Sequence, residues 1–352
     1  MNSTGNVLRM HVFGESHAKA IGVILDGVPS GISIDEDGIN SDLKRRKPNA
    51  MIGGTARSEE DRVKILSGVS KGKSTGSSIT LLLENRNIKP KDYSDLRFKP
   101  RPGHADFTSF LKYGEFPSGG GIFSGRMTAS FVMAGSIAKK IAQEEGIEVF
   151  SHVVKIGKVK GKLSGSSCFG KRRNILGSVD NSILDSMKNE IDSARKMGDS
   201  VGGEIETIAK VPPGLGEPLF GSIESEISRL VFSIPSVKGI TFGTPKTYGS
   251  ENNDEFIIKN GKIATRTNNS GGILGGITNG MPLIFTTLFK PVPSISKKQK
   301  TIDLRTLKET EITIQGRHDS CVLPRAVVVV EAMACFALAD LSLLSKRCSN
   351  GA

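Results

Sequence analysis

Short apolar runs bounded by glycine and proline predict the buried strands of this chain. Residues 18–25 follow the turn at residues 14–17 and end in a Gly-Val-Pro segment, and residues 79–84 form a second run. Residues 204–210 alternate apolar with polar positions, which indicates another strand. The first turn carries an acid, a hydroxyl and an imidazole, which fit either a satisfied turn or an active-site loop.

Longer runs with helical periodicity predict the helices. The predicted helices are residues 129–145, 181–196, 222–232 and 326–344. The first and the last of them are apolar at most positions, as in a buried helix. A short helix is expected to end before Pro48, because proline cannot continue one. Residues 155–173 are rich in lysine and predict an exposed hairpin or loop.

Composition limits the class of protein. The 352 residues allow one large domain or two ordinary ones, and 41 glycines without any tryptophan indicate many tight turns. We expect no apolar stretch long enough to span a bilayer and no signal peptide, which favours a cytosolic protein. Paired spacing, which would indicate disulfides or a metal site, is absent among the cysteines Cys168, Cys321, Cys335 and Cys348.

The charge balance points to anionic partners. A net charge of +12 and a pI near 9.5 fit nucleic acid, a membrane surface or phosphorylated small molecules. No nucleic-acid-binding module is visible, and aromatic residues do not interleave with the basic ones. The basic residues recur singly beside glycine, proline and histidine, which favours small anionic ligands. The cations at residues 44–47 form either an exposed helix end or an anion site.

Four more polar loops carry candidate chemistry, and each also has a plain structural explanation. Residues 101–106 combine a cation, an imidazole and a carboxylate around a Pro-Gly turn, although such clusters often arise by chance. Residues 118–128 form a glycine-rich entry to a helix, which suits either an anion or a flexible connection. Residues 268–280 carry five glycines whose N–H groups fit a phosphate or a flat polar ring. Residues 316–319 fit a capping and salt-bridge cluster or an active-site loop.

Taken in order, these blocks resemble the chorismate synthase family. The resemblance extends from about residue 6 to residue 343, and several blocks in one order are more specific than any one of them. The blocks are Gly14-Glu15-Ser16-His17, Arg101-Pro102-Gly103-His104-Ala105-Asp106, Asp199-Ser200-Val201-Gly202-Gly203, residues 268–280, and Gly316-Arg317-His318-Asp319 with Arg325.

The resemblance implies an α+β fold in which antiparallel sheets are sandwiched with helices. It implies a single large domain over residues 1–352, with a flexible tail at residues 345–352. The implied enzyme is a carbon–oxygen lyase that makes chorismate from 5-enolpyruvylshikimate 3-phosphate by 1,4-anti elimination of phosphate. The family requires reduced FMN without net redox change, and NADPH enters as a reductant through a separate reductase. The implied assembly is a cytoplasmic homotetramer without a metal, a membrane or a nucleic-acid partner.

The same resemblance assigns roles to individual residues. His17 is the acid at the leaving phosphate, and Ser16 supports the same network. His104 is expected as a cation against the flavin, and Asp319 as the relay for the departing C6 proton. The substrate-binding arginines are Arg46, Arg101 and Arg126. The flavin-contacting residues are Ser124, Pro235, Ser236, Gly275, Lys290, Pro291, Val292, Pro293, Ser294 and Arg317.

The chain departs from the family pattern near the expected phosphate contacts. Arginine or glycine of the family is replaced at residues 115–118, at Ile122, near Ile52 and at Ala18. Two other functions stay open, a generic FMN-dependent oxidoreductase and a basic nucleic-acid-binding protein. The oxidoreductase would oxidise flavin stoichiometrically, and the nucleic-acid binder would lose affinity steeply with salt. No reductase domain is apparent in the sequence, so we expect an external source of reduced flavin.

Overall fold

In the described part of the chain, the first of two five-stranded antiparallel sheets contains the turn that carries Ser16 and His17. The computed structural model describes residues 2–47, 61–85, 98–115, 118–163, 165–314, 316 and 318–349. Across this sheet the strands are β1 (Ser3–Thr4), β2 (Arg9–Gly14), β3 (Ala20–Asp26), β7 (Ile79–Glu84) and β4 (Lys64–Ser67). On β7 the alternate side chains Ile79, Leu81 and Leu83 are buried, as the period of a strand requires. The strands predicted at residues 18–25 and 79–84 are confirmed.

The second sheet is built around the strand predicted at residues 204–210. Its strands are, in order, β11 (Val237–Phe242), β16 (Leu283–Phe289), β10 (Gly203–Lys210), β8 (Glu148–Ile156) and β9 (Val159–Lys160). All neighbours are antiparallel, and β10 is the central strand. Glu206 on β10 and His152 on β8 are both buried and share a hydrogen bond of 2.8 Å across the sheet.

Among the residues that the structure describes, four two-stranded antiparallel hairpins lie outside the two five-stranded sheets. They are β5–β6 (Val69–Ser70 and Lys73–Ser74), β12–β13 (Phe256–Lys259 and Lys262–Thr265), β14–β15 (Ile273–Leu274 and Ile277–Thr278) and β17–β18 (Gln299–Asp303 and Lys308–Ile312). The α-helices are α1 (Glu36–Arg46), α2 (Asp106–Tyr113), α3 (Thr128–Glu144), α4 (Leu184–Lys196), α5 (Ile223–Val231), α6 (Gly249–Asn252) and α7 (Leu323–Ser349). Short 3₁₀ helices span Ser118–Phe123, Gly125–Met127, Gly165–Cys168 and Leu219–Gly221.

Helices α3 and α7 lie between the two sheets. Helix α3 contacts β2 and β3 of the first sheet, α7 contacts β8 and β10 of the second, and the two helices pack on each other. A Cβ atom at Gly135 would lie only 2.2 Å from the Cβ of Ala332, so glycine and alanine permit this close approach. The expected α+β fold with helices sandwiched between antiparallel sheets is confirmed, in a single domain.

Helix α7 overturns the expectation that no apolar stretch could span a bilayer. Its segment Leu323–Lys346 is long and apolar enough to span a bilayer. An 18-residue stretch of this segment has a mean hydropathy of 2.1, but 89% of that stretch is buried inside the protein. The buried Asp340 carboxylate accepts hydrogen bonds from the N–H groups of Val7 and Leu8 at 2.7 and 2.8 Å. The helix is therefore the centre of the hydrophobic core.

Segment 155–173 is only partly the exposed hairpin or loop that its lysines predicted. Strands β8 and β9 do form a hairpin, but Cys168 is fully buried. Arg173 bonds to Glu331 on α7, and its guanidinium lies 3.9 Å from the centre of the Phe150 ring. The short helix expected to end before Pro48 is α1, which ends at Arg46. The predicted helix boundaries agree with the structure within a few residues, except that α7 continues through Ser349. Residues 345–349 of the expected tail are thus helical.

Candidate active site

A cavity of about 560 Å³ opens among six segments that are far apart in the chain. They are the end of α1, the loop before α2, the 3₁₀ helices after α2, the connection from α5 to β11, the loop after β16 and the start of α7. This volume falls within the range of cofactor and ligand sites. More positive than negative side chains line the cavity, which suits anionic ligands. The charged lining residues are Arg46, Arg101, Lys238, Lys290 and Arg325 against Asp106 and Asp319.

The loop before α2 is held in place by a glycine and an ion pair. Gly103 has φ +73°, and a Cβ there would lie 2.8 Å from the Cβ of Pro293, so glycine permits contact with the loop after β16. The Asp106 carboxylate accepts two hydrogen bonds from the Arg101 guanidinium, at 2.7 and 2.8 Å. Burial opposes its ionisation, but Arg101 outweighs burial and lowers the pKa of Asp106. Arg101 is therefore oriented before any ligand arrives.

His104 stands at the centre of this loop and is neutral near pH 7. Its Nδ1 lies 3.1 Å from the Pro102 carbonyl, which can only accept, so Nδ1 carries the proton. Its Nε2 accepts from the Ser294 hydroxyl at 2.7 Å. Burial, reinforced by the Arg101 charge, lowers the pKa of His104 to about 4. The imidazole is thus neutral without ligands, and the cation expected against a bound flavin stays a prediction.

The loops expected to hold flavin meet beside His104. The Lys290 N–H donates to the Ser236 carbonyl at 2.9 Å, and the Lys290 ammonium donates to the Gly103 carbonyl at 2.8 Å. Burial, together with the charge of Lys238, lowers the pKa of Lys290. Ser236 has φ +75°, a strained value for a residue with a side chain. These hydrogen bonds hold the Lys290 ammonium and the backbone of Gly103 and Ser236 together along one wall of the cavity.

Arg46 is a buried cation at another part of the cavity wall. Its Nη2 donates to the Asp61 carboxylate at 3.0 Å. Burial and repulsion from Arg325 lower the pKa of Arg46 to about 10, which still leaves it charged near neutral pH. Within the described ranges, no hydrogen-bond partner is found for its Nε. Arg46 is therefore a buried cation whose guanidinium is incompletely hydrogen-bonded, which is unfavourable in the protein interior.

Asp319 lines the cavity in an ion pair with Arg325. The two side chains are 3.0 Å apart at their nearest oxygen and nitrogen. Helix α7 begins at Leu323, so Val322 holds the position of an N-cap and Asp319 lies three residues upstream of it. This placement goes against a capping role for Asp319 and holds its carboxylate at the cavity wall.

Ser16 and His17 lie in the turn between β2 and β3. The Ser16 hydroxyl is 3.0 Å from His17 Nδ1. The Asn85 side-chain amide donates to the Glu15 and Ala18 carbonyls at 3.0 and 2.8 Å, which fixes the conformation of the turn. The two catalytic candidates are therefore rigidly presented together.

The turn reaches the cavity wall through backbone contact. Neither Ser16 nor His17 lines the cavity itself. The Ser16 N–H donates to the Gly121 carbonyl at 3.4 Å, and the neighbours Gly120 and Ile122 do line it. Ile122 places an apolar side chain where the family pattern has arginine. Residue 52, another of the departures, lies outside the described part of the chain.

The cavity gathers most of the residues that the sequence singled out. Those that line it are Arg46, Arg101, His104, Ser124, Pro235, Ser236, Lys290, Val292, Pro293, Ser294 and Asp319. Arg126 and Pro291 do not line it, and Arg317 lies outside the described residues. Gly275 does not line it either, because its hairpin packs on the start of α5, where the Gly276 carbonyl accepts from the Ile223 N–H at 3.0 Å.

Four polar residues at or behind the site had no role assigned from the sequence. They are Asp61, Asn85, Lys238 and Arg325. Arg325 was visible only as a member of the last matching block. Asp61 lies in a charged run that resembles solvated surface, and nothing local separates Lys238 from the other lysines. Their position became evident only when distant segments came together.

Comparison with known proteins identifies the family of this chain. A family model described as chorismate synthase matches residues 8–343. The chorismate synthase of Dehalococcoides mccartyi is 46% identical over 353 residues, which cover 97% of this chain and 96% of the relative. The chorismate synthase of Thermococcus kodakarensis is 42% identical over 99% of both chains.

A solved structure supports the same relationship. It is described as a crystal structure of chorismate synthase, and it superposes with a TM-score of 0.73 at 28% identity. The superposition covers 97% of this chain and 93% of the other. The chain therefore belongs to the chorismate synthase family of carbon–oxygen lyases, which catalyse the chorismate-forming step of the shikimate pathway.

Proposed function

We propose that the cavity binds 5-enolpyruvylshikimate 3-phosphate beside reduced FMN, and that phosphate is eliminated there. The observation that carries this proposal is the convergence of cations, His104 and Asp319 from five distant segments on one cavity. Family membership supplies the reaction and favours it over a flavin-dependent oxidoreductase or a nucleic-acid-binding protein.

The wall around His104 fits a reduced flavin. The Lys290 ammonium, the His104–Ser294 pair and the backbone at Pro235 and Ser236 would hold it, since they supply donors and positive charge. When bound, reduced FMN supplies an electron-rich ring without net redox change. An anionic ring beside His104 would place a negative charge next to the imidazole, which raises the pKa of His104 and favours its cationic form.

The arginines would hold the anionic groups of the substrate. Arg101 is oriented by Asp106, and Arg46 and Arg126 by Asp61, so little side-chain freedom is lost on binding. Elimination breaks the C3–O bond and places negative charge on the leaving phosphate. Cations already in position stabilise that charge as it develops.

Two residues of the chain would move protons. His17 protonates the leaving phosphate, and Ser16 at its Nδ1 orients the imidazole. Asp319 relays the proton that leaves C6, while Arg325 holds the carboxylate at the cavity wall. The two proton transfers and the loss of phosphate leave the redox state of the product unchanged.

An anaerobic assay with chemically reduced FMN tests this function. Phosphate release and chorismate should appear in equal amounts, with no turnover when FMN is oxidised. Stoichiometric flavin oxidation by another acceptor, without phosphate release, would instead indicate an oxidoreductase. Tight nucleic-acid binding that weakens steeply with salt, again without phosphate release, would indicate the third alternative.

The proposed assembly is a homotetramer. On the β12–β13 hairpin, Ile258 pairs with Ile263, and Phe256 lies on the same face of its strand as Ile258. These three side chains are 68 to 75% exposed, and apolar patches of this kind mark interaction surfaces. Light scattering should give four times the chain mass, and Ile258→Glu should reduce it. A monomeric wild-type protein would contradict this part of the proposal.

The proposed source of reduced flavin is a separate NADPH-dependent reductase in the cytoplasm. Cys168 and Cys321 are free and buried, and free thiols fit a reducing compartment. NADPH alone should therefore give no turnover with oxidised FMN. Adding a flavin reductase should restore it.

A further inference from the structure

Asp61 stands between two of the substrate-binding arginines. Its side chain is 2% exposed, its Oδ2 accepts from Arg46 at 3.0 Å and its Oδ1 accepts from Arg126. Arg46 ends α1, whereas Arg126 belongs to the 3₁₀ helix Gly125–Met127. Burial opposes ionisation, but the two guanidiniums hold the pKa of Asp61 below its usual value. One buried carboxylate thus joins two cations that would otherwise repel each other.

The same carboxylate reaches the His17 turn through two more side chains. Arg126 Nε donates to Asn85 Oδ1 at 3.2 Å. The Asn85 amide in turn donates to both carbonyls that fix the turn. On its other side Asp61 holds Arg46, which lines the cavity. A continuous hydrogen-bonded chain therefore connects the cavity wall with the turn that carries the catalytic histidine.

We propose that Asp61 is a positioning residue, which sets the spacing of Arg46 and Arg126 and, through Asn85, the place of the His17 turn. This inference rests on the proposed function of these three residues. Asp61 also offsets part of the positive charge that an incoming phosphate meets. Without its charge, the guanidiniums attract phosphate more strongly but no longer hold one geometry.

The variant Asp61→Asn keeps the shape of the side chain and removes its charge. We expect kcat to fall at least about tenfold and inorganic phosphate to bind at least about tenfold more tightly, because ground-state binding improves while orientation is lost. Steady-state kinetics and calorimetric titration without flavin measure the two quantities. An unchanged kcat, or a phosphate affinity equal to or weaker than that of the wild type, would overturn the proposal.

Two further variants separate positioning from stability. Asp340→Asn also changes a buried, hydrogen-bonded carboxylate, so it should lower the melting temperature. Asp340 lies about 22 Å along α7 from Arg325, so this variant should leave kcat and phosphate affinity unchanged. If Asp61→Asn does not fold, Asp61→Glu decides the matter, because it keeps the charge and displaces it. We expect its kcat to fall at least about tenfold, since catalytic groups tolerate little misplacement, and a normal kcat would contradict the proposal.

Phosphate binding needs neither flavin nor turnover. A wild-type protein that binds inorganic phosphate but releases none from 5-enolpyruvylshikimate 3-phosphate would count against the proposed function. Tighter phosphate binding by Asp61→Asn would still support the role of Asp61 in that case. The two failures can therefore be told apart.

Discussion

The Ser294 hydroxyl donates a 2.7 Å hydrogen bond to His104 Nε2 and so joins the loop before α2 to the loop after β16. The Pro102 carbonyl accepts from the opposite side of the ring at 3.1 Å. The Ser294 hydroxyl favours the neutral imidazole, because a protonated Nε2 could not accept from it, whereas the hydrogen bond to the Pro102 carbonyl raises the pKa of His104 and favours the cation. The charge of His104 therefore depends on what occupies the cavity.

We expect His104 to titrate near pH 4 in the protein without ligands, well below the usual value of about 6.5. Between these values the unfolded chain binds a proton that the folded protein does not. The stability contribution of His104 is thus complete above about pH 6.5 and is lost as pH falls towards about 4. NMR titration gives the pKa, and urea unfolding at several pH values gives the stability. His104→Gln should flatten that dependence and the exposed His11→Gln should not, whereas titration near 6.5 would contradict the prediction.

Replacing His17 by alanine should lower turnover by roughly two to four orders of magnitude, the usual contribution of a positioned acid. Folding and FMN affinity should stay close to those of the wild type, since Asn85 fixes the turn through backbone carbonyls. Stopped-flow assay and flavin titration measure these effects. His11→Ala is the matched control, because His11 lies on the neighbouring strand with an exposed side chain. Near-normal turnover in the His17 variant would remove this residue from the mechanism.

The variant Asp319→Asn tests the proton relay. An amide fills the same space beside Arg325 but cannot take up a proton as a carboxylate does. We expect turnover to fall at least about a hundredfold with a nearly unchanged melting temperature. Asp303→Asn, which alters an ion pair with Arg305 on the β17–β18 hairpin, should leave turnover unchanged. If the Asp319 variant loses stability and keeps its turnover, the residue is structural.

FMN and the substrate should strengthen each other's binding. The cations of the cavity come from different segments and repel one another, so each anion that binds helps to assemble the site for the other. Coupling must be reciprocal, and we expect at least about fivefold in each direction. Titrating FMN with and without substrate, at matched ionic strength, measures it. Equal affinities would show that the two sites form independently.

The sequence alone determined the local structure and the kinds of chemistry. The short apolar run at residues 79–84 predicted β7 at its observed bounds, because an apolar run of this length bounded by turn residues favours a buried strand whatever it packs against. The order of the polar blocks carried the resemblance to the family. These features are encoded between close neighbours in the chain, so they can be recognised before the fold is known.

Tertiary structure decided which charges are paired and which apolar surface is covered. The pairs Arg45–Glu331 and Arg46–Asp61 join positions 286 and 15 residues apart, and no local pattern distinguishes these arginines from the lysines beside them. Helix α7 is apolar enough for a membrane, yet its neighbours α3, β8 and β10 bury it. Ion pairing and desolvation depend on distances between remote segments, and those distances exist only in the folded protein.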